Sequence, residues 1–446
     1  MSFRPRRRLA LAAMLLACAL AACAPSVTVA TKPTATRAQP TSTPSGTFAP
    51  REYTPQQFRD AYGVTSLIQA GNTGKGQTVV LIESYGDPTI QSDINDFSAR
   101  YNLPSITIQV LTPLGTVPFD SSNNDMTSWA AETALDAEVV HSIAPDANIV
   151  ILTSPVDETE GTAGLPEFRQ LEEYAVQHHL GNIISQSWGA SEVSLNNTAG
   201  QQELKLWDAF YQQATTTQGI TFTTGSGDSG ATDYTDASLN QLSTTATTGF
   251  PSDEPWVTSV GGTTLLTNGS AYRETAWNGC PGGASGGGFS QFYPTPTFQQ
   301  TLPPATLSQF DNRRGVPDVS AVAAPCSGWP VIFLHHWTTI GGTSAGAPLW
   351  AGLIAIGDQM AGQPLGFINP ALYTIAHSSA AGQDFRDVTS GDNGVTCTLG
   401  DSQCVNQPVQ VTGYTTASGW DAVTGLGSPI ADKLLPDLIA TVNGAP

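Results

Sequence analysis

A serine, two carboxylates four residues apart and a glycine-bounded aspartate are the residue types in this chain that could act together chemically. The serine is Ser344, in Gly341-Gly342-Thr343-Ser344-Ala345-Gly346-Ala347-Pro348. Its neighbours are too small to cover its hydroxyl. The mostly apolar run 329–340 before it reads as a strand, and the run 349–360 after it as a helix. A serine where a strand turns into a helix is exposed, with backbone N–H groups and the positive end of the helix dipole beside it. The same place suits a helix N-cap with no chemistry. Its meaning depends on whether the chain supplies a base and an oxyanion donor.

Candidates for both are present. Glu132 and Asp136 lie in a helix-like run and share one face of it. Two carboxylates on one face repel unless they share a proton, which raises one pKa and lets the pair accept a hydroxyl proton in acid. A solvated acidic face is the ordinary reading of such a pair, but Trp129, Leu135, Val139 and Val140 make this helix half-buried. Asp228 follows a predicted strand within Thr224-Gly225-Ser226-Gly227-Asp228-Ser229-Gly230. A protonated aspartic acid there can donate to an oxyanion; locally, a turn or calcium aspartate reads equally well.

Two further segments suit binding. Ser187-Trp188-Gly189 and Ser285-Gly286-Gly287-Gly288-Phe289-Ser290 let an extended peptide lie close to the backbone as an added strand, or are plain loops. Phe385-Arg386-Asp387-Val388-Thr389-Ser390-Gly391 and Ser418-Gly419-Trp420-Asp421 pair two aspartates with small residues and carbonyls, oxygen donors of the kind calcium prefers. Their spacing is no EF-hand.

The elements that must position these groups alternate regularly. Strands are predicted at 78–84, 106–111, 148–154, 182–188 and 220–224, and helices at 90–101, 125–142, 166–179 and 201–217. Such alternation predicts an α/β fold, a mostly parallel sheet with helices on both faces and ligands at the carboxyl ends of the strands. Residues 229–325 are Gly-rich and irregular, and are expected to carry hairpins and substrate loops.

The 446 residues are 40% hydrophobic and 12% charged, with 17 Lys+Arg against 37 Asp+Glu and a net charge of −20. That balance excludes nucleic acid as a partner and loses charge as pH falls, a hint of an acidic habitat. Arg4, Arg6, Arg7 and Arg8 precede an apolar stretch, 9–22, that ends in Leu20-Ala21-Ala22-Cys23. This resembles a bacterial lipoprotein signal over 1–22, with Cys23 lipidated; an ordinary secretory signal is the alternative. Residues 23–50 are a Thr/Pro/Ala/Ser-rich linker. Of the remaining cysteines, Cys397 and Cys404 close a short loop and are expected to pair, leaving Cys280 with Cys326. His335-His336 on a strand would point to opposite faces, and His141 reads as a helix-surface residue.

Taken in order, these segments resemble the sedolisins, the serine-carboxyl peptidases. The resemblance spans about residues 53–440. It includes Tyr53-Thr54-Pro55-Gln56-Gln57, Thr73-Gly74-Lys75-Gly76-Gln77, Phe250-Pro251, Ser259-Val260-Gly261-Gly262-Thr263, Gly315-Val316-Pro317-Asp318-Val319-Ser320 and Gly425-Leu426-Gly427. It implies a subtilisin-like three-layer fold over 51–446. It implies endopeptidase cleavage of proteins or peptides at low pH through an acyl-enzyme. Ser344 matches the nucleophile, Glu132 the general base and acid, Asp136 the carboxylate that orients it, and Asp228 the protonated oxyanion donor. One structural calcium is implied, held by Asp387 and Asp421 side chains and the carbonyls of Val388, Ala417 and Gly419. Family members usually carry a large N-terminal prodomain. Here 24–50 alone precede the domain, so the expectation is folding without one, a separate chain supplying it, or an incomplete start, the last disfavoured by the lipoprotein signal. A monomer is expected, touching a membrane only through Cys23.

Three rival readings remain. Gly342-Thr343-Ser344-Ala345-Gly346 also fits the esterase elbow, with Asp358 or Asp384 and His377 as partners. A Ser-His-Asp subtilisin would need an early histidine, and His141, His178 and His179 lack a Gly-flanked turn. A catalytically dead peptide-binding lipoprotein is the non-enzyme alternative.

Overall fold

Unbroken runs of branched aliphatic residues form strands here because both faces of a parallel sheet are covered. The computed structural model describes residues 47–280, 282–378 and 381–444. The signal-like segment 1–22 and the linker as far as residue 46 lie outside the described residues. Ala49 pairs with Thr267 through two backbone hydrogen bonds.

Thr78–Ser84 (β1), Gln109–Leu111 (β2), Asn148–Ser154 (β3), Ile183–Gln186 (β4) and Thr221–Gly225 (β5) alternate with helices Ile90–Tyr101 (α1), Asn124–Ile143 (α2), Leu165–Gln177 (α3) and Thr198–Gln218 (α4). Thr258–Thr267 (β6) and Val319–Val322 (β8) continue the sheet, whose order is β8-β6-β5-β4-β1-β3-β2 with every neighbour parallel. Tyr272–Ala276 (β7) adds antiparallel to β6. Side chains of β1 and β3 alternate between two cores, as strand geometry requires. Val79, Leu81, Ile149 and Ile151 pack with Ile143 of α2 and with Trp350 and Ile354 of helix Gly346–Ala361 (α5). Val80, Ile82, Val150 and Leu152 pack with Phe168, Trp207 and Tyr211 of α3 and α4. Asn123 and Asn197 accept backbone N–H bonds that start α2 and α4.

The structure departs from the sequence reading in four places. Residues 329–340 are a hairpin, Trp329–Phe333 (β9) against His336–Ile340 (β10). It turns at Leu334 and His335, whose φ angles are positive (47° and 65°). His335 is therefore in the turn, with Nδ1 2.8 Å from Asp93, while His336 opens β10, so the two do not sit side by side on a strand. Residues 229–325 are less irregular than expected, since they contribute β6 and β7, and β8 of the sheet begins just before their end. His141 is buried, its Nε2 3.0 Å from both Ser98 Oγ and the Pro104 carbonyl. Strand 106–111 shortens to β2.

Both cysteine pairs form disulfides, Cys280–Cys326 and Cys397–Cys404. Among the described residues no helix is long and apolar enough to cross a membrane.

Candidate active site

The carboxyl ends of three adjacent strands meet the start of α5. β1 ends with Glu83 and Ser84, β4 runs into Ser187, and β5 into Asp228. β10 leads through Gly341 and Gly342 into a single 3-10 turn, Thr343–Ala345, which opens α5 and carries Ser344. Two glycines make this approach possible. Gly342 has φ 137°, and a Cβ there would stand 2.8 Å from Asp228 Oδ2. A Cβ on Gly225 would stand 2.8 Å from Thr343 Oγ1 and 3.1 Å from the Ser344 nitrogen.

Ser344 is half-buried, and its hydroxyl interacts with the Glu132 carboxylate. Behind Glu132, one helical turn on, Asp136 is fully buried. The Ser187 hydroxyl donates to Asp136 Oδ2 and Oδ1 at 2.8 and 3.0 Å, and lies 3.2 Å from the Ser344 carbonyl oxygen. Glu83 completes the cluster, buried with neither oxygen in a well-formed hydrogen bond.

Burial pushes all three carboxyls up. Asp136 and Glu83 are held well above the usual carboxylate range, with the neighbouring acids adding to the effect. Glu132 rises only to about 7, because the Ser344 hydroxyl offsets part of its desolvation. The three carboxyls interact closely, so together they hold protons above the ordinary carboxylate range, and Glu132 is the one that touches the serine.

Asp228 faces the same cleft. Its Oδ1 accepts from the backbone N–H (2.8 Å) and hydroxyl (2.9 Å) of Thr343. The protein surrounding the cleft raises its carboxyl above the ordinary value, although Thr343 opposes the shift. The group is solvent-accessible, and a proton on its unshared oxygen is available to a ligand at Ser344.

A cleft of about 300 Å³ opens beside Ser344 and Asp228. Ser187, Trp188 and Gly189 line it, as do Phe250 and Tyr234 and the carboxylates of Glu158, Glu160 and Asp233. No histidine lines it. His377 instead caps a helix, Asn369–Ala376, with Nδ1 2.5 Å from the Tyr373 carbonyl, and Asp358 is buried against the Leu365 N–H (2.8 Å). Asp358 and His377 are thus committed elsewhere, and Asp384 does not line the cleft. Gly286, Gly287 and Gly288 also lie off this cleft. They are buried where other chain segments press in, and a Cβ would stand 2.0 Å from the Ser226 carbonyl oxygen at 286 and 2.2 Å from that of Ala422 at 287. Their missing side chains allow close packing there.

Glu83 and the Asp136 role of Ser187 escape sequence reading. An acid ending an otherwise apolar strand, in a run bound for burial, is the signal that could have found Glu83.

Asp387 Oδ2 accepts from Ser418 Oγ (3.0 Å) and Gly419 N (3.1 Å), tying the two C-terminal segments together. Asp421 accepts from the N–H groups of Ala417, Val423 and Thr424 at 2.8–2.9 Å. No hydrogen bond among the described residues ends on the carbonyls of Val388, Ala417 or Gly419. Two carboxylates and three uncommitted carbonyls suit a hard cation. No three His, Cys, Asp or Glu side chains cluster for a metal among the described residues, so the carbonyls would be essential.

A parallel sheet between helices, with a serine opening one of them over a carboxylate cluster, defines a subtilisin-like α/β protein. The Subtilase family profile matches residues 121–365, more than half of the chain. Kumamolisin of Bacillus sp. (strain MN-32) is 32% identical over 90% of this chain and 66% of its own length. Sedolisin of Pseudomonas sp. (strain 101) is 30% identical over 86% and 60%. A solved structure of Pseudomonas sedolisin, a serine-carboxyl proteinase complexed with pseudo-iodotyrostatin, superposes with a TM-score of 0.71 at 28% identity. It covers 89% of this chain and all of that one. The chain belongs to the subtilase family, in its sedolisin branch. It spans about two thirds or less of these two curated relatives.

Proposed function

We propose that this chain is an exported serine-carboxyl endopeptidase that cleaves peptide bonds through an acyl-enzyme on Ser344. The observation that carries the reading is a serine whose partner is the carboxylate of Glu132, where most serine hydrolases place an imidazole. Ser344 Oγ attacks the scissile carbonyl carbon as its proton passes to Glu132. The new C–O bond leaves an oxyanion, which takes a hydrogen bond from protonated Asp228. Glu132 returns the proton to the leaving amine as the C–N bond breaks. Water then repeats the sequence on the ester and frees the acid. Asp136, clamped by Ser187, keeps Glu132 in place.

The reaction needs ionised Glu132 and protonated Asp228. Rate then peaks midway between their two pKa values, whichever is higher. Burial raises Asp228 above the ordinary aspartate range and Glu132 to about 7, and an acid optimum is the expectation for this carboxyl pair.

Calcium at Asp387, Val388, Ala417, Gly419 and Asp421 would brace the loop beside the sheet as a structural ion. The resemblance of residues 1–22 to a signal segment supports export, with the chain either tethered through a lipid on Cys23 or released.

The test is peptide hydrolysis from about pH 2 to 8 by wild type, Glu132→Ala, Asp228→Ala and His377→Ala. An acid optimum lost in the first two variants and kept in the third is expected. A neutral optimum that depends on His377 overturns the reading, and folded protein inactive at every pH points to a binding scaffold.

A further inference from the structure

One wall of the cleft is held from outside by the loop that the Cys397–Cys404 disulfide closes. Tyr234 and Leu239 line the cleft with Ser344 and Asp228. The segment that carries them, 234–242, makes few contacts with the two main cores; its Leu242 belongs to a small separate cluster with Ala231, Cys397, Cys404, Val409 and Val411. The cysteine loop grips this segment along its length. Gln403 Nε2 donates to Tyr234 Oη at 2.8 Å, and Leu242 N donates to the Gln403 carbonyl at 2.9 Å. Val405 N donates to the Asn240 carbonyl at 3.0 Å. Gln241 Oε1 accepts from the N–H groups of both Asn406 and Gln407, each at 3.0 Å.

Apolar packing does not anchor the tip of the loop, where Leu399 projects into solvent, 63% exposed. Inside the ring an Asp401 turn accepts from Thr398 N and Oγ1, a local bond that leaves the loop's placement on the cleft wall open. The buried Cys404 and the disulfide to Cys397, next to strand Val395–Cys397, set that placement.

We propose that the disulfide-closed loop 397–404 is a specificity element, with Gln403 a positioning residue that fixes the Tyr234–Leu239 wall against the substrate side chain preceding the cleaved bond. This deepens the peptidase reading and rests on it. The cleft adjoins Ser344 and Asp228, so the side chain it receives belongs to the residue whose carbonyl is attacked. A fixed wall favours a large side chain by meeting it with surface already in place. A loosened wall leaves the serine, Glu132, Asp136 and Asp228 untouched, and a small side chain does not reach it.

The experiment compares wild type, Gln403→Ala, and the Cys397→Ser/Cys404→Ser pair on two peptides that differ only in that residue, leucine or alanine. Gln403→Ala keeps the disulfide, so it reports on the wall even if the cysteine variant folds poorly; thermal melting checks each protein. KM for the leucine peptide should rise about tenfold in both variants, as loss of one well-placed hydrogen bond predicts. kcat and the alanine-peptide kinetics should hold. Equal losses on both peptides, or none with Gln403→Ala, overturn the proposal while leaving the peptidase reading intact. A folded wild type inactive on both peptides at every pH overturns both.

Discussion

The Ser187 hydroxyl donates to both carboxylate oxygens of Asp136, at 3.0 and 2.8 Å, across the end of β4. It also approaches the Ser344 carbonyl oxygen (3.2 Å), so one small side chain links the acid cluster to the turn that carries the serine. Ser187→Ala should lower kcat about tenfold, the worth of one hydrogen bond to a charged or shared-proton group, with little change in KM. Steady-state kinetics at the optimum decide it. An unchanged kcat would mean that Asp136 needs no anchor.

Glu83 is expected to tune Glu132 without touching substrate. It is buried, lacks a well-formed hydrogen bond and faces both Asp136 and Glu132. Glu83→Gln keeps the shape and removes any charge. A neutral neighbour eases ionisation of Glu132, so the limb of the pH–rate profile that reports Glu132 should move to lower pH while the enzyme stays active. A limb that stays put would show that Glu83 is neutral throughout the working range.

The sheet centre was legible because its residues follow one rule. Strands 78–84 and 148–154 and helix 90–101 have the bounds that their apolar runs predict. β6 was not legible, since Ser259-Val260-Gly261-Gly262-Thr263 has no apolar run. Its glycines answer to distant partners: a Cβ at Gly261 would stand 2.6 Å from Pro317, and one at Gly262 2.9 Å from Trp277. The hairpin before Ser344 turns on Leu334 and His335, neither a turn-forming residue, with Asp93 on another element holding His335. Ser344, Glu132, Asp136 and Asp228 were visible as residue types in the right order. That Ser187 faces Asp136 depends on β4 and α2 meeting across the sheet, which no local pattern records.

Calcium should show itself through stability. The Asp387 and Asp421 loops are joined by hydrogen bonds, and their carbonyls are uncommitted. A chelator should lower the Tm and added calcium restore it, as linkage requires of a ligand that binds the folded state. Asp387→Ala should melt lower and lose the response to calcium. An identical Tm with chelator and with calcium removes the ion from the account.

Stability should fall as pH rises, the reverse of the usual behaviour of paired carboxylates. Burial holds Glu83, Asp136, Glu138, Glu158, Glu172 and Asp253 well above the ordinary range, and Glu160 and Glu254 at about 8. A carboxyl raised on folding binds its proton more tightly in the folded chain. Its contribution is therefore intact below the unfolded value near ~4 and is lost as pH rises towards the folded one, by about 1.4 kcal/mol per unit and group. Asp120, Asp236 and Asp401 shift the other way, but they are exposed and count for little. His141, lowered to about 4 by burial, also opposes the trend, as one group against many. Tm should thus decline from about pH 5 to 8. Glu172, buried in α3 with both oxygens unpartnered and outside the active-site cleft, isolates the cause. Glu172→Gln should match wild type at about pH 4 and melt higher at about pH 7. Equal melting at both pH values, or a lower Tm at neutral pH, would separate the buried acids from any acid preference the protein has.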